Sequence, residues 1–244
     1  MRTRARRWQI AAHLRSLTAA AGIVLLAGCA TTGPASPADP FEPWNRAMYD
    51  VHQIVDGNFV KPVAQAYVDY MPKPIQQTIS NFFGNIEDVF SAITSLMSGK
   101  LDRAGNDMGR VIVNTLFGIG GLIDVASDGG IPRGDWDFGL AFGTWGFQQG
   151  PYLFVPLIGP TTVRDGTGLA IRGYLSPVGY LSDVPVRNVL WGIGALDERV
   201  EALQTESIID QAALDRYTFI RRAYLQRRQF LLYEGKVPPE KEEQ

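Results

Sequence analysis

After Asp39, apolar residues recur at steps of three and four through most of the chain, and each such run predicts a helix. Met48, Val51 and Val55 mark one face of a helix over 45–56. The clearest pattern starts near Pro74, a residue suited to a first helical turn. Ile75, Ile79, Phe82, Phe83, Ile86, Val89, Phe90, Ile93, Leu96 and Met97 form one apolar stripe of about six turns, and Gly99 stops it. Met108, Ile112 and Leu116 predict a second helix over 101–117. Two more amphipathic stretches follow Pro185, one over 186–203 and one over 207–233. The pattern therefore predicts an all-α chain with one domain, tolerating short strands between Tyr152 and Leu157.

Between these helices the pattern changes. Residues 105–192 hold 18 of the 26 glycines. Within them, residues 138–163 form 26 consecutive positions without a charge, bounded by Asp137 and Arg164. That length would allow a membrane span. Five glycines, three prolines and Gln148-Gln149 break any continuous helix. In hydrocarbon, broken backbone survives only where protein covers it or where it lines a wet cavity. Two readings stay open: a segment against lipid or lining a lipid route, and a glycine-rich core of short crossing helices. On the first reading Gly143, Gly146, Phe147, Gly150, Leu153 and Ile158 lie along the route, with Arg164 and Asp165 at its polar margin. Arg164 would then face a phosphate, or else pair with Asp165 or another acid.

The N-terminus has a different grammar. Arg2, Arg4, Arg6, Arg7 and Arg15 precede a short apolar run that ends in Leu26-Ala27-Gly28-Cys29. Charge, a short apolar run and small residues before the cut make residues 1–28 a secretory signal peptide. The cysteine at the cut resembles a bacterial lipobox, in which the thiol receives diacylglycerol and the new N-terminus an acyl chain. Two or more chains anchor stably where one does not. Residues 29–38 continue as a small, polar, proline-containing tether, and residues 237–244 as a polar tail. The Arg6-Arg7 pair leaves the export route open between the general and twin-arginine pathways.

Charge and rare residues narrow the chemistry. Without the five signal arginines the mature chain is seven charges negative, which argues against nucleic acid as a partner. Cys29 is the only cysteine, so no disulfide is available, and His52 is the only histidine after the signal. A zinc site or a Ser-His-Asp triad would lack ligands or a base other than His52. No nucleophile elbow, phosphate-binding P-loop or HExxH motif is present, and Gly118-Ile119-Gly120-Gly121 fails as a dinucleotide loop because Ile123 replaces the third glycine. No catalytic residue, metal or cofactor is expected. Acid pairs such as Glu87-Asp88 and Asp197-Glu198 read as solvated helix faces. In the last helix Arg221, Arg222, Arg227 and Arg228 form a basic surface, either for a partner or lipid head groups or as a plain solvated face.

Four segments resemble one family. Asp39-Pro40-Phe41-Glu42-Pro43-Trp44-Asn45-Arg46-Ala47-Met48-Tyr49 is similar to the opening motif of mature MlaA (VacJ) lipoproteins. Asn114-Thr115-Leu116-Phe117-Gly118-Ile119-Gly120-Gly121-Leu122-Ile123-Asp124-Val125-Ala126 resembles a second signature. A third runs through Gly143-Thr144-Trp145-Gly146, Gly150-Pro151-Tyr152-Leu153, Pro156-Leu157, Gly159-Pro160 and Val163-Arg164-Asp165-Gly166. Arg222-Ala223-Tyr224-Leu225-Gln226-Arg227-Arg228 is also similar. Leu140 and Gln148 depart from the family pattern.

The resemblance implies a ring-shaped, mostly helical lipoprotein embedded in the inner leaflet of the outer membrane, with an amphipathic channel. It implies removal of misplaced outer-leaflet phospholipid, hand-over to a soluble periplasmic carrier, and trimeric porins as partners. Ala30 after the lipidated cysteine fits retention in the outer membrane. The rival expectations are an envelope scaffold that moves no lipid and a lipid hydrolase built on His52.

Overall fold

A computed structural model describes residues 39–236. The signal peptide, Cys29, the tether and the tail lie outside those residues. The chain is mainly helical. Helix α1 (Glu42–Val55) continues through a π-helical turn (Asp56–Val60) into α2 (Lys61–Tyr70). The long α3 (Lys73–Met97) and α4 (Leu101–Leu116) form an antiparallel pair, joined through Gly99 in the left-handed region. A short α5 (Val125–Asp128) and α6 (Phe138–Thr144) precede an antiparallel hairpin, β1 (Tyr152–Val155) and β2 (Gly159–Thr162). Then come α7 (Val163–Leu175), a 3₁₀ turn (Pro177–Tyr180), α8 (Val184–Ala212) and α9 (Arg216–Leu232).

Aspartate and threonine start five of these helices. Asp124, Asp137, Thr162, Asp183 and Asp215 each accept a hydrogen bond from the backbone amide three residues on. Such a cap is typically worth about 1 kcal/mol. Asp215 also corrects the sequence reading of the C-terminal region. The expected helices over 186–203 and 207–233 are divided differently: α8 runs on to Ala212, and α9 starts only at Arg216. The break lies at Ala213-Leu214-Asp215, where the Asp215 cap with Thr218 begins a new helix.

Neighbouring elements close on themselves. α1 lies on β1, β2 on α7, α7 on α6, α6 on α3, α3 on α8, and α8 on α2, which returns to α1 through the π-turn. This circuit gives the domain its ring-like plan. α9 crosses it, touching α6, β2 and α8, while α4 flanks α3. The α6–α7 crossing is close enough to need glycine at both helices. A Cβ at Gly168 would fall 2.5 Å from the Gly139 nitrogen, and one at Gly139 would fall 2.5 Å from Asp165 Oδ1.

Polarity is reversed relative to a water-soluble bundle. An apolar helix stripe ordinarily faces a core. Along α3, Ile75, Ile93, Leu96 and Met97 are exposed, whereas Gly84, Asp88, Ser91, Thr94 and Ser95 are buried together with Phe90. On α4, Leu101, Met108, Ile112 and Leu116 face outward, while Asp107, Arg110 and Asn114 face inward. Among the described residues, buried polar side chains outnumber buried apolar ones. No helix of the described residues is long and apolar enough to cross a membrane.

Candidate functional site

Buried polar groups must be paired, and here pairing organises the interior. Arg110 is fully buried; its Nε donates to Asp88 at 2.9 Å and its Nη2 to both Asp124 oxygens at 3.0 Å. Asn114 donates to Asp124 and accepts from the Ala126 amide. Against a burial that would raise it, hydrogen bonds from Ser127, Asn114 and Arg110 hold the Asp124 carboxyl below the usual carboxylate range. The second signature thus encodes a buried polar seam. Its glycines form the turn beside the seam, and a Cβ at Gly118 would meet the Ile123 carbonyl oxygen at 2.1 Å.

The opening motif acts the same way at the hairpin. Buried Asn45 donates to Asp39 and to the Tyr152 carbonyl, and accepts from the Phe154 amide at 2.9 Å. One side-chain amide therefore pairs with β1 as a further strand would. Tyr49, Tyr152, Phe154 and Tyr217 make the aromatic cluster beneath it, with Tyr49 and Phe154 edge to face at 5.3 Å. His52 secures the hairpin tip: its Nδ1 accepts from the Leu157 amide at 3.1 Å, and its ring lies against Phe154. Burial lowers the His52 pKa from its ordinary value.

A cavity of about 480 Å³ opens between α2, α3, α7 and α8. That volume lies within the usual range of ligand sites, about 300–1,000 Å³. Its α3 wall carries Gln76, Gln77, Ser80, Phe83 and Glu87; its α8 wall carries Gly194, Asp197, Glu198 and Glu201. Tyr67, Lys73, Arg133 and Arg172 also line it. Ser80 Oγ donates to Asp197 across the cavity at 2.5 Å, and Arg172 pairs with Glu87 and Glu198. Burial pushes Asp197 above its ordinary carboxylate value, with the Ser80 hydrogen bond opposing. Phe83 lies against Gly194, where a Cβ would approach its ring to 3.1 Å. The cavity thus joins an aromatic and aliphatic wall, Phe83 and Val200, to a rim of both charge signs.

The structure places the residues of the uncharged segment in two environments. Phe138, Leu140 and Ala141 are core, and Gly143 lies against Arg164 and Leu232. Phe147 and Ile158 are exposed by 61% and 60%, Leu153 is half-buried, and Gly146 and Gly150 adopt positive φ in the connecting turns. None of the eight predicted lipid-route residues lines the cavity. Arg164 and Asp165 are not at a polar margin. They are buried and paired at 3.0 Å, and Arg228 Nη2 reaches the same Asp165 oxygen at 2.9 Å.

The basic surface is likewise corrected. Arg221 and Arg228 are each only 8% exposed. Arg221 pairs with Asp39 at 2.9 Å, while Arg228 joins Asp137 and Asp165. They face inward because the positions three and four apart on α9, Tyr217, Arg221, Tyr224 and Arg228, share the side that meets α6 and β2. Arg222 and Arg227 remain exposed. The solvated reading of the acid pairs holds for Glu198, whose side chain is 72% exposed, but not for the others: Asp88 is fully buried, Glu87 holds Arg172, and Asp197 lines the cavity half-buried.

A family model described as MlaA lipoprotein matches residues 37–231. The chain belongs to the MlaA lipoprotein family. It is 32% identical over 233 residues to the intermembrane phospholipid transport system lipoprotein MlaA of Escherichia coli K12, covering 93% of this chain and 92% of that one. The protein of the same description from Haemophilus influenzae is 32% identical over 234 residues, covering 93% of each chain. A solved structure reported as the structural basis for maintenance of bacterial outer membrane lipid asymmetry is similar with a TM-score of 0.69 and 32% identity. That similarity covers 80% of this chain and 98% of the other. The resemblance read from the four segments is therefore confirmed across most of the chain.

The cavity residues Tyr67, Ser80, Arg133, Arg172, Asp197 and Glu201 were not legible as a site from motif reading. One signal was present. Lys73, Gln76, Ser80, Gly84 and Glu87 recur at helical spacing opposite the apolar stripe of α3, and Gly194, Asp197, Glu198 and Glu201 do the same on α8.

Proposed function

We propose that this chain is the outer-membrane lipoprotein of an intermembrane phospholipid transport system, and that it maintains lipid asymmetry by removing phospholipid from the outer leaflet. The observation that carries the reading is the reversed polarity. Outward apolar stripes on α3 and α4 suit a hydrocarbon surround, and the charged cavity enclosed by α2, α3, α7 and α8 suits a head group. Moving a phospholipid breaks no bond. It requires a polar lane, because an unpaired charged head group in hydrocarbon is costly.

In this reading Cys29 carries diacylglycerol and an N-acyl chain, and the tether holds the ring at the inner leaflet. The exposed tip of the hairpin and exposed Phe147 lie against lipid, and Gly143, Gly146, Gly150 and Leu153 shape the backbone behind them. Arg222 and Arg227 are the remaining arginines available to a soluble periplasmic carrier; trimeric porins are the membrane partners. Photoreactive residues test the path. At Gln77 and Ile158 they should capture phospholipid in intact cells, and at exposed Gln226 on α9 they should not. Capture at none of the three, with stable envelope protein cross-links instead, would favour a scaffold and overturn the conduit.

A further inference from the structure

The charge pattern inside the cavity goes beyond a general lane for lipid. The cavity carries Lys73, Arg133 and Arg172 against Glu87, Asp197, Glu198 and Glu201, a lining one charge negative. These charges are not equally committed. Arg172 is held by Glu87 and Glu198. Asp197 receives only the Ser80 hydroxyl and pairs with no basic side chain among the described residues, and Glu201 makes neither kind of contact there. Burial raises the Asp197 pKa, Glu201 adds to the rise, and Arg133 opposes it, so the three lie within one another's field. A cation arriving between Asp197 and Glu201 would relieve that cost.

The opposite pole is Arg133. Its guanidinium lies flat on Gly84 of α3, where a Cβ would come within 2.4 Å of it. Its only ion pair among the described residues is a long one, 3.6 Å to Asp124, and its side chain is 43% exposed. A planar guanidinium placed this way is suited to phosphate oxygens. Tyr67 lines the same cavity, and its hydroxyl oxygen is buried with no hydrogen-bond partner among the described residues.

We infer that this cavity selects phospholipids with a zwitterionic amine head group, the phosphate meeting Arg133 and the ammonium meeting Asp197 and Glu201. An anionic head group without an amine would satisfy Arg133 but leave Asp197 and Glu201 with no uncommitted cation other than Lys73 in a net negative lining. The inference rests on the conduit reading of the same cavity.

The full-length lipoprotein should be purified from its native membrane in mild detergent, and its bound lipid quantified by mass spectrometry beside that of the membrane. The ratio of ethanolamine to glycerol head groups on the wild type is expected to exceed the membrane ratio about threefold, the size that contacts between partly exposed charges supply. Asp197→Asn combined with Glu201→Gln should return the ratio to that of the membrane while the amount of bound lipid stays high. Glu201→Gln alone, at an exposed position that folding does not need, should lower the ratio part of the way. A wild-type ratio equal to the membrane's, or one unchanged in the variants, would overturn the selectivity and leave the conduit standing. Absence of bound phospholipid from every form would overturn both.

Discussion

Arg228 and its neighbours on α9 offer the sharpest test of how the interior is held. Replacing Arg228 with glutamine removes three short contacts, two to Asp137 and one to Asp165. The two acids are left in different states. Asp137 is 44% exposed in its side chain, so water can take over and its loss should cost little. Asp165 is 5% exposed in its side chain and keeps, among the described residues, only Arg164 and the Tyr224 hydroxyl, at 3.0 and 2.9 Å. Breaking a fully buried pair costs about 3–5 kcal/mol, and the remaining partners should hold the loss at or below the lower bound, about 2–3 kcal/mol. For a domain of this size that is a fall in melting temperature of about 4–12 °C. Replacing exposed Arg222 and Arg227 together should change stability by less than about 0.5 kcal/mol. Thermal unfolding followed by circular dichroism in one detergent compares the two. The sign with pH is fixed as well. Against its burial, Arg228 and Arg164 hold the Asp165 carboxyl below its ordinary value. Its stabilisation is therefore complete above the ordinary carboxylate range and is lost as pH falls through that range and below. The Arg228→Gln protein should lose less on acidification than the wild type. Equal melting of Arg228→Gln and wild type, or a comparable loss in the Arg222/Arg227 variant, would refute the buried-seam account.

Other outcomes follow from the same geometry. His52 has a lowered pKa through burial, so the folded state favours the neutral ring: its contribution is intact above about pH 6.5 and is lost as pH falls from there towards the folded value. His52→Asn, which keeps an acceptor for the Leu157 amide, should flatten that slope in pH-dependent melting; an unchanged slope would dismiss the latch. Gly168→Ala should destabilise by about 1–3 kcal/mol, because its Cβ meets the Gly139 backbone and backbone cannot move aside cheaply; wild-type melting would contradict the close crossing. Intact-mass analysis of membrane-extracted protein should find the acyl adducts on Cys29, and a free thiol there would remove the anchor from the account.

Much of the fold is written in local pattern. The 3–4 periodicity places α3 and α4 to within a residue or two, because each helix keeps a continuous apolar stripe and a glycine stop. What periodicity cannot state is which side of a stripe faces the interior. That depends on the solvent, and here the stripe of α4 looks out while Asp107, Arg110 and Asn114 look in. The same ambiguity hid Arg221 and Arg228, since arginines at helical spacing look alike whether they meet water or buried aspartates. Their partners Asp39, Asp137 and Asp165 lie 63 to 182 positions away in sequence, beyond the reach of any local pattern. The α8–α9 boundary was missed for a smaller reason: Asp215 and Thr218 form a cap within a stretch whose apolar positions continue on both sides. Pro151, Pro156 and Pro160 announced irregular backbone, and the hairpin they frame is that irregularity. The cavity needed two distant polar stripes, on α3 and α8, to be brought face to face.

The central claim is that phospholipid passes through the cavity between α3 and α8. Filling it tests the claim most directly. Gln77→Trp places a large ring in the cavity wall without touching any ion pair of the seams. Outer-leaflet phospholipid should then be measured in cells whose own lipoprotein is replaced by this form at equal abundance. The account predicts that outer-leaflet phospholipid accumulates as it does when the lipoprotein is absent, while a control at exposed Gln226 of α9, Gln226→Ala, stays clear. Clearance at the wild-type rate by a folded, membrane-bound Gln77→Trp protein would contradict it.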